Sequence, residues 1–141
     1  MNYLVDTNVL SEPLRAKPNA NVKRWLEAVP EERFYLSVLT LGEIRKGVES
    51  LPNGARRERI RAWLEGDLRA RFDERILDVD VRVADAWGRL LAERKRPASA
   101  IDSLIAATAL AHGLAVLTRN VTNFDFAGLR AVDPFVASAP S

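Results

Sequence analysis

The stretch "AIDSLIAATALAHG", residues 100–113, limits the choice of fold more than any other part of the chain. It is apolar nearly all round, and a helix of that kind belongs in the interior, covered by other elements. Gly113 stands where a helix stop of left-handed conformation is wanted. "LAVLT" follows directly and reads as a compact buried strand. A central helix running into a central strand is the building unit of a parallel sheet with helices packed on its faces.

The remaining segments keep up that alternation. Tyr3, Leu4 and Val5 form a strand-like run. Val22, Trp25, Leu26 and Val29 recur at helical spacing, and Pro30 stops that helix. "RFYLS" is β-prone, and Leu41, Ile44, Val48 and Leu51 then mark a helix that ends at the turn "LPNG". Ile60, Trp63, Leu64 and Leu68 outline another amphipathic helix. "RILDVD" reads as a short strand, with Asp78 or Asp80 capping the helix of Val83, Trp87, Leu90 and Leu91. "LRAVDPF" supplies a last edge strand. There is no repeat, low-complexity tract or linker, and 141 residues suit one domain spanning 1–141. The expected fold class is α/β, a small parallel sheet flanked by helices on both faces.

Composition narrows the chemistry. The chain has no cysteine and a single histidine, His112. Disulfides, thiolate catalysis and Cys- or His-rich metal sites are excluded, and a reducing cytoplasm is the expected location. A metal ion would have to sit on carboxylates, which favours a hard cation such as Mg²⁺ or Mn²⁺. No apolar run approaches the ~18–20 residues that span a bilayer, and the N-terminus lacks the pattern of a signal peptide. The arginines cluster in "ARRERIRAWL" and "AERKRP", with acids interleaved as on solvated helix faces. A net charge of +2 does not by itself argue for a nucleic-acid partner.

Ligands of open parallel sheets bind beyond the carboxyl ends of the strands. Asp6 follows the first strand and Asn120 follows "AVLT", so both fall on that edge. Most acids of the chain lie on polar faces or in loops, whereas Asp6, Glu43 and Asp102 have apolar or small neighbours. A lone buried carboxylate tends to protonate, and three together repel unless a cation lies between them. A divalent cation relieves that repulsion, activates a water and stabilises charge on a phosphate. Plainer roles stay open for each acid. Asp6 also suits a helix cap shared with Thr7 or Asn8, Asp102 suits a cap for a helix beginning at Ser103, and Glu43 suits a pair with Lys46 or Lys23. Spacing alone does not bring the acids together.

Three segments taken in order carry a family resemblance. "YLVDTNVLSE" resembles the opening motif of PIN-domain nucleases of the VapC and FitB type. "LSVLTLGEIRKGV" is similar to their second motif, and "AIDSLIAATALAHGLAVLTRNVTNF" to their third and fourth. The resemblance covers essentially the whole chain. It implies a PIN-like fold and a metal-dependent endoribonuclease, the toxin of a toxin–antitoxin pair that hydrolyses RNA phosphodiester bonds with metal-activated water. It implies Asp6, Asp102 and Glu43 as acids around Mg²⁺ or Mn²⁺, with Asp6 and Asp102 as direct ligands and Glu43 acting through water or on the nucleophile. It further implies a VapB- or FitA-like antitoxin, an RNA substrate, a homodimer and a toxin–antitoxin hetero-oligomer. Such antitoxins often place an Arg or Lys near the acids, and the helices carrying Trp25 and Trp63 would form the groove that accepts one.

The chain departs from the pattern at the fourth position. Many relatives carry an acid where Asn120 or Asn123 stands, and Asp125 is out of register to replace it. Asn120 brings coordination or a hydrogen bond to water but no charge, which puts a second metal position in question. A catalytically weakened module that only binds RNA or an antitoxin is therefore the alternative reading. A signalling receiver domain is disfavoured, because no lysine follows Lys95. Thr7, Asn8, Ser37, Ser103 and Thr118 flank the acids and would support them, Asn8 foremost. Arg119 is a candidate RNA contact, or a partner for an acid such as Asp125. His112 fits a helix C-terminus, and the three tryptophans fit packing positions.

Overall fold

The computed structural model describes all residues, 1–141. Its sheet is parallel throughout, with strand order β3-β2-β1-β4-β5. The strands are β1 (Tyr3–Val5), β2 (Phe34–Ser37), β3 (Ile76–Leu77), β4 (Ala115–Leu117) and β5 (Ala131–Val132). The helices are α1 (Thr7–Leu10), α2 (Ala20–Ala28), α3 (Val38–Glu49), α4 (Ala55–Ala62), α5 (Leu68–Phe72), α6 (Val81–Glu93) and α7 (Ala100–His112). β1 is central. The chain first builds outward from it through β2 to β3, then crosses to lay β4 and β5 on the other side. The direction of build-up therefore reverses between β1 and β4, and the carboxyl ends of these strands are where an open sheet of this kind binds ligands.

Strand alternation divides the core in two. Tyr3 and Val5 of β1 and Ala115 and Leu117 of β4 pack with α2, α3 and α5 on one face. Leu4 and Val116 point the other way, against α6 and α7. Each fully buried Val, Leu or Phe adds about 1.5–3 kcal/mol by leaving water, so these short strands are anchored by both faces. Register follows: Tyr3, Leu4 and Val5 lie beside Ala115, Val116 and Leu117.

Helix ends agree with the sequence. Asp80 caps α6 by accepting from the Val83 N–H at 2.9 Å. Gly113 ends α7 at φ 66°, a left-handed conformation that glycine adopts without strain. Two expectations need correction. First, α7 is not covered on every side, since Ile101 is 37% exposed although six residues from Ser103 to Ala109 are buried. Its many alanines suit close packing on the sheet and on α6 rather than encirclement. Second, the amphipathic pattern from Ile60 to Leu68 is not one regular helix: a π turn at Trp63–Asp67 joins α4 to α5. Leu64 and Leu68 thereby reach the core, while Ile60 and Trp63 face a surface groove.

The C-terminal segment is strapped to α2. The Asn21 side-chain amide donates to the carbonyls of Pro134 (2.8 Å) and Ala137 (2.6 Å), and the Trp25 indole N–H donates to Ala137 (2.8 Å). Trp25 also meets the Tyr3 ring edge-on at 5.6 Å.

Candidate active site at the carboxyl edge of the sheet

Asp6 occupies the reversal point between β1 and β4 and is 6% exposed. It caps α1, accepting from the Thr7 N–H at 2.9 Å on Oδ1. Its Oδ2 accepts from the Thr118 hydroxyl at 2.7 Å and the Asn8 amide at 3.3 Å. The cap that sequence reasoning offered as the plainer role is thus present, but it engages one oxygen only. The Asn120 N–H donates to the Thr118 hydroxyl at 3.1 Å, and the Arg119 N–H donates to Asn8 Oδ1 at 3.0 Å. The exit of β4, "TRN", is in this way tied to the residues that surround Asp6.

Glu43 arrives from α3. The Thr7 hydroxyl donates to its Oε1 at 2.8 Å. Burial raises its pKa above the ordinary carboxylate value; the Thr7 hydrogen bond opposes that, Asp6 and Asp102 raise it further, and Lys46 opposes them. Asp102 lies in the first turn of α7, and Ser99 rather than Asp102 caps that helix. Its pKa is also raised, by burial first and then by Asp6. The three acids thus sense one another across the edge. None of them forms an ion pair, although nine such pairs are made elsewhere in the chain. The plain pairing of Glu43 with Lys46 or Lys23 is not formed. No three acidic or histidine side chains are gathered into a closed ligand set. A donor set of mutually repelling carboxylates without ion-pair partners fits a hard cation that keeps several of its own waters.

Other expected residues divide. Thr7, Asn8 and Thr118 touch the acids directly. Ser37 is fully buried and caps α3 through the Leu39 N–H, so it orients the helix that carries Glu43 instead of the carboxylate itself. The Ser103 hydroxyl accepts from the Trp87 indole at 2.9 Å and serves the α6–α7 contact. Asn120 and Asn123 are exposed, and Asp125 is engaged by Arg96 at 3.3 Å. The proposed pairing of Arg119 with Asp125 is absent; the Arg119 guanidinium lies over the Phe135 ring instead.

A groove of about 270 Å³ runs from Thr7 and Glu43 along α3 and α4. Ile44, Val48, Ile60 and Trp63 line it, with Arg15 and Arg56 also on its walls. Trp25 is 3% exposed in the core and no residue of α2 lines the groove, which corrects the expectation that the helix of Trp25 forms it together with that of Trp63. Sequence reasoning also passed over Glu12, which is 5% exposed and accepts from the Asn19 N–H at 2.8 Å, pinning the start of α2. Its place two residues after the apolar "VL" was the available signal.

Comparison with known proteins agrees with this geometry. The family model described as "PIN domain" matches residues 3–126. The chain is 37% identical over 135 residues to the VapC ribonuclease Y4jK of Sinorhizobium fredii, covering 94% of this chain and 96% of that one. It is 38% identical over 135 residues to Toxin FitB of Neisseria gonorrhoeae, covering 94% and 97%. The crystal structure of FitAcB from Neisseria gonorrhoeae superposes with a TM-score of 0.90 at 38% identity, over 96% of this chain and 99% of that one. Three acids that influence one another at the strand-order reversal, on a sheet shared with these proteins, lead to one conclusion: the chain belongs to the PIN-domain family, in the branch of VapC and FitB.

Proposed function

We propose that this chain, as a single unit over 1–141, is a metal-dependent endoribonuclease and the toxin of a toxin–antitoxin pair. The observation that carries the reading is Asp6: a buried carboxylate fixed by three donors, facing Glu43 and Asp102, with no ion pair made to any of the three. The names of the relatives, a ribonuclease and a toxin, supply the substrate class and the biological setting.

Asp6 and Asp102 would hold Mg²⁺ or Mn²⁺, with Glu43 reaching it through water. When bound, the ion supplies an activated water and charge stabilisation at the phosphate. Thr118, Asn8 and the Thr7 N–H hold the Asp6 oxygens in one orientation, so no reorganisation is needed when substrate arrives. Thr7 engages Oε1 of Glu43 and leaves Oε2 free to take a proton from the attacking water. Asn120 stands at the same edge as a neutral polar group. The groove beneath Glu43, with Trp63 on its wall, suits the apolar face of an antitoxin helix, and a basic antitoxin side chain entering from it would neutralise the acids. A homodimer remains part of the reading.

Purified total RNA incubated with the protein and Mg²⁺ or Mn²⁺ should give discrete fragments. EDTA, Asp6→Asn and Asp102→Asn should each abolish them. The neutral residues at 120 and 123 favour one second reading, a module that binds RNA or antitoxin without cutting. Inert wild-type protein that still binds RNA in a calorimeter would select it.

A further inference from the structure

Resting on the ribonuclease reading, a further role falls to the C-terminal segment. Four arginines lie over aromatic rings, and in three of them the guanidinium is already occupied. Arg71 is paired with Glu31, Arg75 donates to the carbonyls of Glu31, Phe34 and Arg71, and Arg94 donates to those of Arg96 and Asp125. The fourth is Arg119, 4.5 Å from the Phe135 ring centroid. Its guanidinium has no hydrogen-bond acceptor and no acid, and the residue is exposed. Its backbone is nevertheless fixed, because its N–H is held by Asn8, which also holds Asp6.

The ring beneath it is fixed as well. Phe135 packs against the core, and its N–H donates to Asp133 Oδ1 at 2.8 Å. The carbonyls on either side, of Pro134 and Ala137, are clamped by Asn21 and Trp25. A guanidinium lying on an aromatic face keeps its in-plane N–H edge open, and that edge matches two oxygens of a phosphate.

We propose that Phe135 is a positioning residue, which holds the Arg119 fork open for a backbone phosphate of RNA crossing the carboxylate edge. Arg119 makes the contact and Phe135 acts through it. The C-terminal segment is then part of the substrate surface, although it supplies no group to the reacting atoms.

The test is binding of a short, labelled, mixed-sequence single-stranded RNA in EDTA across a salt series, using the full chain. Arg119→Gln should weaken binding about tenfold and flatten the slope of log K against log salt by about 0.7. Phe135→Leu, which keeps apolar volume, should weaken binding roughly two- to fivefold, while Phe135→Trp, which keeps a ring, should restore it. Arg119→Gln combined with Phe135→Leu should bind no worse than Arg119→Gln alone. Effects of the two changes that simply multiply, or a Phe135→Leu defect that tracks a lowered melting temperature and is not rescued by Trp, would overturn the proposal. Unchanged binding by Arg119→Gln overturns it too. Failure of wild type to cut RNA while the salt slopes behave as expected would instead strike the nuclease reading alone.

Discussion

Thr118→Val is the sharpest test of how Asp6 is held. Thr118 is fully buried, and its hydroxyl donates to Oδ2 at 2.7 Å while accepting from the Asn120 N–H. Valine keeps the shape and removes both bonds. A hydrogen bond to a charged group contributes about 1.5–3 kcal/mol, and the carboxylate left behind is too buried for water to replace the donor fully. The Asn120 N–H lies at an exposed edge and finds water, so it adds little. For a chain of this size the loss corresponds to a fall in melting temperature of roughly 5–12 °C. Thr118→Ser keeps the hydroxyl and loses one methyl, at a cost of about 1 kcal/mol. Urea melts of metal-free wild type and both variants would measure the difference, with the slopes checked for equality. If valine costs under about 0.5 kcal/mol, or no more than serine, the hydroxyl does not hold Asp6 as argued.

The carboxylates give a pH signature. Glu43 and Asp102 both titrate above their ordinary values, so the folded protein binds protons more tightly than the unfolded chain does. The resulting penalty is fully present above the raised folded values and disappears as pH falls below the unfolded ones. Asp102→Asn and Glu43→Gln should therefore raise the melting temperature of metal-free protein at neutral pH, with the gain shrinking on acidification; a gain that grows instead would refute the sign. Trp63→Ala should weaken an antitoxin helix about thirtyfold or more in a titration, as expected for an aromatic anchor, while leaving RNA cleavage by free protein intact. Glu12→Ala removes a buried acceptor from the Asn19 N–H and should cost about 1–3 kcal/mol in a denaturant melt; a neutral result would show that the loop reseals with water.

Much of the fold was legible because its elements are short and punctuated. Pro30, the turn at residues 51–54, Asp80 and Gly113 stand at or beside real boundaries, and the unbroken apolar run Tyr3–Val5 matches a strand buried on both faces. The π turn at Trp63–Asp67 was not legible, since an inserted residue shifts a helical stripe without changing its composition. At the site, Asp6, Glu43 and Asp102 were visible as acids among apolar neighbours. Their mutual influence was not, because it depends on α3 and α7 ending up beside β1. The same limit hid Phe135: a ring in a C-terminal "DPF" says nothing of an arginine until β4 and the segment after β5 are brought together. Trp25 and Trp63 look equivalent as helical stripe residues, yet one is a core strut and the other a groove wall.

The reversal of strand order between β1 and β4 also sets a schedule. Asp6 is synthesised before its hydroxyl partner Thr118, which comes 112 residues later. At ~5–20 residues per second, roughly 6–22 s separate the two on the ribosome. β1 can pair with β2 beforehand, but the carboxylate edge is complete only when β4 slides in beside β1. For a product proposed to attack RNA, this ordering means that no nascent fragment short of β4 carries the assembled edge. The order of synthesis thus leaves an interval in which the edge is unassembled and an antitoxin can already be waiting.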